Sequence, residues 1–203
     1  MTIAPIVIGY FIGSIPVAWI ITKLVKKQDL RDLGSGNVGV MNVAFSVSRW
    51  AGLIVFLAEA AKGVLAVVIA RYFIDSDLII GMTVLATVAG TRWPLWLGFK
   101  GGRGNTAGAA ALLLISWQSL LIGACLWVVI RLITRNHFVT TRTCIFLGPF
   151  ILGFVTQSWW YFLTGVGLCL MYLTTHEKGT DDHLIIKENW PSLRDFLTSP
   201  RRK

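Results

Sequence analysis

Long apolar runs separated by short polar breaks organise this chain. Residues 3–25 are apolar almost throughout and predict a first membrane-spanning helix. Lys23, Lys26, Lys27 and Arg31 follow, which places that end in the cytoplasm and the N-terminus outside. Residues 51–73 predict a second span, Asp75-Ser76-Asp77 a turn, and residues 78–89 the start of a third that ends near Trp93-Pro94. The apolar stretch 106–133 is interrupted by Ser116-Trp117-Gln118-Ser119. The runs 144–155 and 159–173 are divided by Thr156-Gln157-Ser158.

Charge decides how the later runs are counted. If 106–133 is one span, Arg131, Arg135 and Arg142 face outward. If it is two short spans, they return to the side of Lys100 and Arg103. The second arrangement is preferred: an all-α integral membrane protein of about seven transmembrane helices, N-terminus outside and C-terminus cytoplasmic. It is expected to be one polytopic domain over residues 1–203, with five spans as the alternative. After Pro191, Leu193, Phe196 and Leu197 recur at helical spacing, so residues 176–203 read as a cytoplasmic amphipathic tail. Trp50, Trp93, Trp96, Trp117, Trp159 and Trp160 fall at run ends, as in an interfacial belt.

Composition agrees. Of 203 residues, 55% are apolar and 14% charged, against about 25% charged in soluble domains. The net charge of +9 flanks apolar runs, which points to anionic headgroups rather than nucleic acid. No positive charge precedes Lys23, so the N-terminus reads as a retained helix rather than a removed signal. Cys125, Cys144 and Cys169 lie inside apolar runs without metal-ligand spacing. No metal and no cofactor are expected.

Two glycine-rich polar segments carry the candidate chemistry. The first is Gly34-Ser35-Gly36-Asn37-Val38-Gly39-Val40-Met41-Asn42; the second is Phe99-Lys100-Gly101-Gly102-Arg103-Gly104-Asn105-Thr106. Glycine lets backbone N–H groups turn toward an anion, and successive N–H groups form a nest for phosphate. Lys100 and Arg103 add positive charge, and helix starts favour an anion. Both segments fit a dinucleotide fingerprint by spacing, but the strand that fingerprint requires is missing, and no Gly-Lys-Ser/Thr follows for a P-loop. Glu59 and Lys62 share a helix face inside the second span, either as a structural ion pair or as a wall of the site. His176 follows the last run as a candidate base or phosphate contact; His137 and His183 are weaker candidates. No Gly-x-Ser-x-Gly, His-Glu-x-x-His or His-x-x-x-x-Asp motif is present.

At these residues the chain resembles the bacterial acyl-phosphate:glycerol-3-phosphate acyltransferase family. Ser35-Gly36-Asn37-Val38-Gly39-Val40-Met41-Asn42 is similar to its first motif, and Phe99-Lys100-Gly101-Gly102-Arg103-Gly104 to its second. Glu59-Ala60-Ala61-Lys62-Gly63 and Gly13-Ser14-Ile15-Pro16 match further pieces. Thr91 stands where the family has histidine, Phe45 where it has arginine, with Arg49 nearby, and Thr106-Ala107 reverses an Ala-Thr pair. The family's third motif has no clear match after His176.

The resemblance implies transfer of an acyl group from acyl phosphate to glycerol 3-phosphate, giving lysophosphatidic acid at the inner membrane. It implies Ser35, Asn37, Lys100, Arg103 and His176 as catalytic. Gly36, Gly39, Asn42, Arg49, Lys62, Gly101, Gly102, Gly104 and Thr106 would contact substrate phosphate. The loss of the histidine and of the third motif motivates the alternative, a non-catalytic homologue that binds phospholipid or anions.

Overall fold

The structure, a computed structural model, describes residues 3–174. Among the described residues it is all-helical: α1 (Ala4–Ser14), α2 (Val17–Lys26), α3 (Val40–Ser46), α4 (Arg49–Phe73), α5 (Asp77–Arg92), α6 (Asn105–Thr134), α7 (His137–Thr156) and α8 (Trp159–Leu173), with short 3-10 turns at Leu30–Asp32 and Leu95–Leu97. Five segments, 4–26, 49–73, 77–97, 105–134 and 137–156, are long and apolar enough to cross a membrane. Large apolar side chains point outward along them, Leu57 and Val68 of α4 and Phe154 of α7 among them. Small and polar residues lie within the bundle, as expected where lipid replaces water as solvent. The amphipathic tail and His176 lie outside the described residues.

Residues 3–25 are not one continuous helix. Pro16 has no N–H to donate, Ile15 is extended at φ −63°, ψ 112°, and the chain restarts as α2. α1 lies parallel to α5 at close range. A Cβ on Gly13 would land on the Thr87 carbonyl, and one on Gly90 on the Tyr10 carbonyl. The Tyr10 hydroxyl donates to the Trp93 carbonyl at 2.8 Å.

Contacts at the helix ends fix the course of α6. The starts of α5 and α8 meet where Ser158 Oγ donates to Asp77 Oδ2 at 2.6 Å. α7 ends beside α8's start, so α7 itself begins at the opposite end of the bundle, next to the end of α6. Yet α6 also begins at that opposite end, since Gly101 N–H, just before it, donates to Arg92 O at 3.1 Å at the close of α5. Both termini of α6 therefore lie together, and the chain reverses at Ser116, which is non-helical at φ −159°, ψ 92°. Ser116 Oγ accepts from Ser119 N at 3.2 Å, a helix cap for the second half. Arg71, at the far end of α4, donates to Leu114 O at 3.3 Å beside this tip. The interruption falls at the Ser116–Ser119 break expected from sequence.

The boundary of α7 differs from expectation. It starts at His137, capped by Asn136 Oδ1 accepting from Val139 N at 3.2 Å. Arg142 is consequently helical rather than in a loop. The short helix α3 after the first glycine segment was not anticipated either.

The reversal predicts a labelling pattern. Cysteines at Asn37 and Asn105 should react with impermeant thiol reagents from one face of the membrane, and a cysteine at Gln118, exposed at the tip, from the other. Failure of Gln118→Cys to react from either face would restore a single long span.

Candidate functional site

The first glycine segment is folded around one side chain. Asn42 is fully buried. Its Nδ2 donates to the carbonyls of Leu30 (3.3 Å), Leu33 (2.9 Å) and Asn37 (2.9 Å), and its Oδ1 accepts from Ser46 Oγ at 2.9 Å. Expected as a phosphate contact, Asn42 instead braces the loop from within. Gly34 and Gly36 sit at φ +54° and +71°, where a side chain is strained. Gly36 N–H closes a turn onto Leu33 O at 2.9 Å, and Gly39 N–H turns back to Asn37 O at 3.0 Å. Ser35 and Asn37 are half-exposed beside this turn.

The second segment is pinned to the end of α5. Gly101 N–H donates to Arg92 O at 3.1 Å and Gly102 N–H to Thr91 O at 3.0 Å. These two amides, expected to face phosphate, are spent on the protein's own carbonyls. Gly102 is required for a different reason: a Cβ there would strike the Val38 carbonyl of the first loop. The two loops thus dock backbone to backbone at one end of the bundle. Gly104, at φ +75°, caps α6, and Gly108 N–H makes the helix's first bond to its carbonyl at 2.9 Å. That leaves the amides of Asn105, Thr106 and Ala107 in the first turn, where no intrahelical acceptor exists. Lys100 is exposed and Arg103 half-exposed next to this turn. Arg49 opens α4 directly after α3.

Beneath the loops lies a buried ion pair. Lys62 Nζ donates to Glu59 Oε1 at 2.7 Å, Ile15 O at 2.6 Å and Gly13 O at 3.2 Å. An ammonium has three donors, so Lys62 has none to spare for a phosphate. It satisfies carbonyls released by the break at Pro16, a structural role in place of the expected phosphate contact. Thr91 Oγ1 is likewise turned onto Gly13 O (3.3 Å) and Thr87 O (3.2 Å). Phe45 is buried against Gly34.

Two contributors were not anticipated from sequence. Val38 is an ordinary apolar residue, yet its carbonyl is the seat for Gly102. Tyr172 Oη lies 3.5 Å from the Gly104 carbonyl at the start of α6. Neither residue type carries a signal by itself; only the folded contact gives it a role.

The profile of the family described as glycerol-3-phosphate acyltransferase matches residues 3–184. The chain belongs to that family. A glycerol-3-phosphate acyltransferase from Prochlorococcus marinus is 34% identical over 181 residues, spanning 87% of this chain and 90% of the relative. Glycerol-3-phosphate acyltransferase 1 of Dehalococcoides mccartyi is 40% identical over 172 residues, 82% of this chain and 83% of its own. The crystal structure of PlsY (YgiH), an integral membrane glycerol 3-phosphate acyltransferase in its glycerol 3-phosphate form, superposes with a TM-score of 0.74 at 25% identity. That match covers 100% of this chain and 94% of that one. The chain thus has the fold of an integral membrane protein, with both glycine loops at one end of a helical bundle.

Loop docking predicts a compound defect. Gly102→Ala should destabilise the detergent-state fold by more than about 1 kcal/mol, read as a lower melting temperature, and should lower turnover with it. Asn42→Ala, which removes a fully buried amide and its hydrogen bonds to three loop carbonyls, should cost about 1–3 kcal/mol. Normal melting in both would mean the loops do not depend on each other.

Proposed function

We propose that this chain is a membrane acyltransferase that moves a fatty acyl group from acyl phosphate to the 1-hydroxyl of glycerol 3-phosphate. The products are lysophosphatidic acid, for phospholipid synthesis, and inorganic phosphate. The observation that carries the reading is the docked pair of glycine loops beside the free first turn of α6, within a chain of the glycerol-3-phosphate acyltransferase family. The PlsY structure in its glycerol 3-phosphate form supports the acceptor, and that in its lysophosphatidic acid form supports the product class.

The chemistry suits such a site. The acceptor's hydroxyl oxygen forms a bond to the acyl carbonyl carbon, the carbon–oxygen bond to phosphate breaks, and a phosphate oxygen takes the hydroxyl proton. Acyl phosphate carries its own good leaving group. The protein's part is to orient the partners and to stabilise charge on the departing phosphate. The amides at the start of α6 and the side chains of Lys100, Arg103, Ser35 and Asn37 would do this, with Arg49 and Thr106 at the margin. The loops would face the cytoplasm of the inner membrane, where water-soluble glycerol 3-phosphate is available, and the acyl chain would lie among the helices. His176 remains a candidate contact from the C-terminal segment.

A second reading has one specific observation in its favour. Thr91, which the resemblance sets where the family has histidine, turns its hydroxyl onto helix carbonyls. On that reading the chain is a non-catalytic homologue that binds phospholipid or anions.

Purified protein given acyl phosphate and glycerol 3-phosphate decides between them. Lysophosphatidic acid and phosphate should appear in equal amounts, and Lys100→Ala should reduce the rate by about 100-fold while Lys187→Ala, in the tail, has little effect. Absence of turnover with retained phosphate binding would leave the non-catalytic reading. Equal loss in both variants would mean the charges act through the membrane surface.

A further inference from the structure

Behind the docked loops is a water-sized cavity of about 10 Å³, walled by Val38 of the first loop, Gly101 and Gly102 of the second, Thr91, and the Glu59–Lys62 pair. Such a volume holds a single oxygen with its hydrogens. Glu59 is 7% exposed. Its Oε1 is engaged by Lys62 at 2.7 Å, while its Oε2 is buried without a hydrogen-bond partner. A carboxylate oxygen removed from water costs free energy unless a donor reaches it. Lys62 has no further donor to give, and Thr91 has turned its hydroxyl to Gly13 and Thr87. The missing partner is therefore an O–H group that enters from the loop side.

We propose that this cavity binds the non-reacting 2-hydroxyl of a polyol phosphate acceptor, with Glu59 Oε2 as its hydrogen-bond acceptor. This rests on the acyltransferase reading and names what selects the acceptor. The cavity's size decides which hydroxyl it takes. The reacting oxygen must have the acyl carbon within bonding distance, and a space for one oxygen has no room for that carbon. The hydroxyl held here is thus a bystander, and it fixes the acceptor's orientation while the phosphate sits on the first turn of α6. In the free protein a water fills the same place and is displaced on binding. A site built to hydrogen-bond a hydroxyl rejects an analogue lacking it, because the buried group is then left unpaired.

The test compares two acceptors with the full-length protein in detergent: glycerol 3-phosphate, and propane-1,3-diol monophosphate, which keeps a reacting hydroxyl and lacks the 2-hydroxyl. The wild type should favour glycerol 3-phosphate in kcat/KM by about tenfold or more. Glu59→Gln should lose most of that preference by slowing glycerol 3-phosphate far more than the diol phosphate. Glu59→Asp withdraws the carboxylate by one methylene but keeps a charge for Lys62. It should show the same selective loss and serves if the glutamine variant does not fold. A wild type that uses both acceptors equally overturns the proposal. So does a Glu59→Gln or Glu59→Asp penalty of equal size on both, which would make Glu59 only the partner of Lys62. A wild type that turns over neither acceptor instead removes the acyltransferase reading on which this one stands.

Discussion

One ammonium group holds the loop end of this protein together. Lys62, inside the bundle, binds the Glu59 carboxylate and the carbonyls of Gly13 and Ile15. Those carbonyls lose their regular helical partners because Pro16 ends α1, and in apolar surroundings a broken helix is tolerated only where other groups satisfy its backbone. Lys62 supplies that satisfaction from α4. The redirected chain becomes α2 and then the turn that leads to the first glycine loop. Removing one member of a buried ion pair costs about 3–5 kcal/mol, since the other charge is left uncompensated. Here the loss would also release the α1–α2 break beneath the loops.

The two loops depend on this platform and on each other. Their glycines serve chiefly to let backbones meet: Gly102 against Val38, and Gly101 against the end of α5. Amides that a phosphate nest would need are committed to Thr91 and Arg92. On the proposed reading, anion binding falls instead to the first turn of α6 and to side chains around it. A rigid backbone platform with a few exposed polar groups suits a reaction whose donor already carries its leaving group, because placement then contributes most of what the protein must add.

Elsewhere the fold follows from close packing in an apolar solvent. Gly13 against Thr87, Gly63 against Ala107 and Gly90 against Tyr10 bring helix backbones into direct contact. Larger apolar side chains are left to face outward. Without a hydrophobic drive between helices, such small-residue contacts and interhelical hydrogen bonds are what holds a bundle.

Much of this was legible in the sequence. Run length and apolarity determine a helical membrane protein. Ser116, with its capping hydroxyl, marks the reversal in α6, and two short glycine-rich segments, the second with Lys100 and Arg103, mark the candidate site. These properties are local, and each acts through its own stretch of chain. The sequence did not decide the role of each polar group. Asn42 and Lys62 have the chemistry to bind phosphate, and Gly101 and Gly102 have amides to offer it. Whether a donor faces a ligand or a carbonyl depends on which distant backbone stands beside it. Asn42 meets Leu30 and Leu33, Lys62 meets a break nearly fifty residues earlier, and Gly102 meets Val38. Only the tertiary structure brings those partners together, because hydrogen bonds act over ångströms in space and carry no record of separation along the chain.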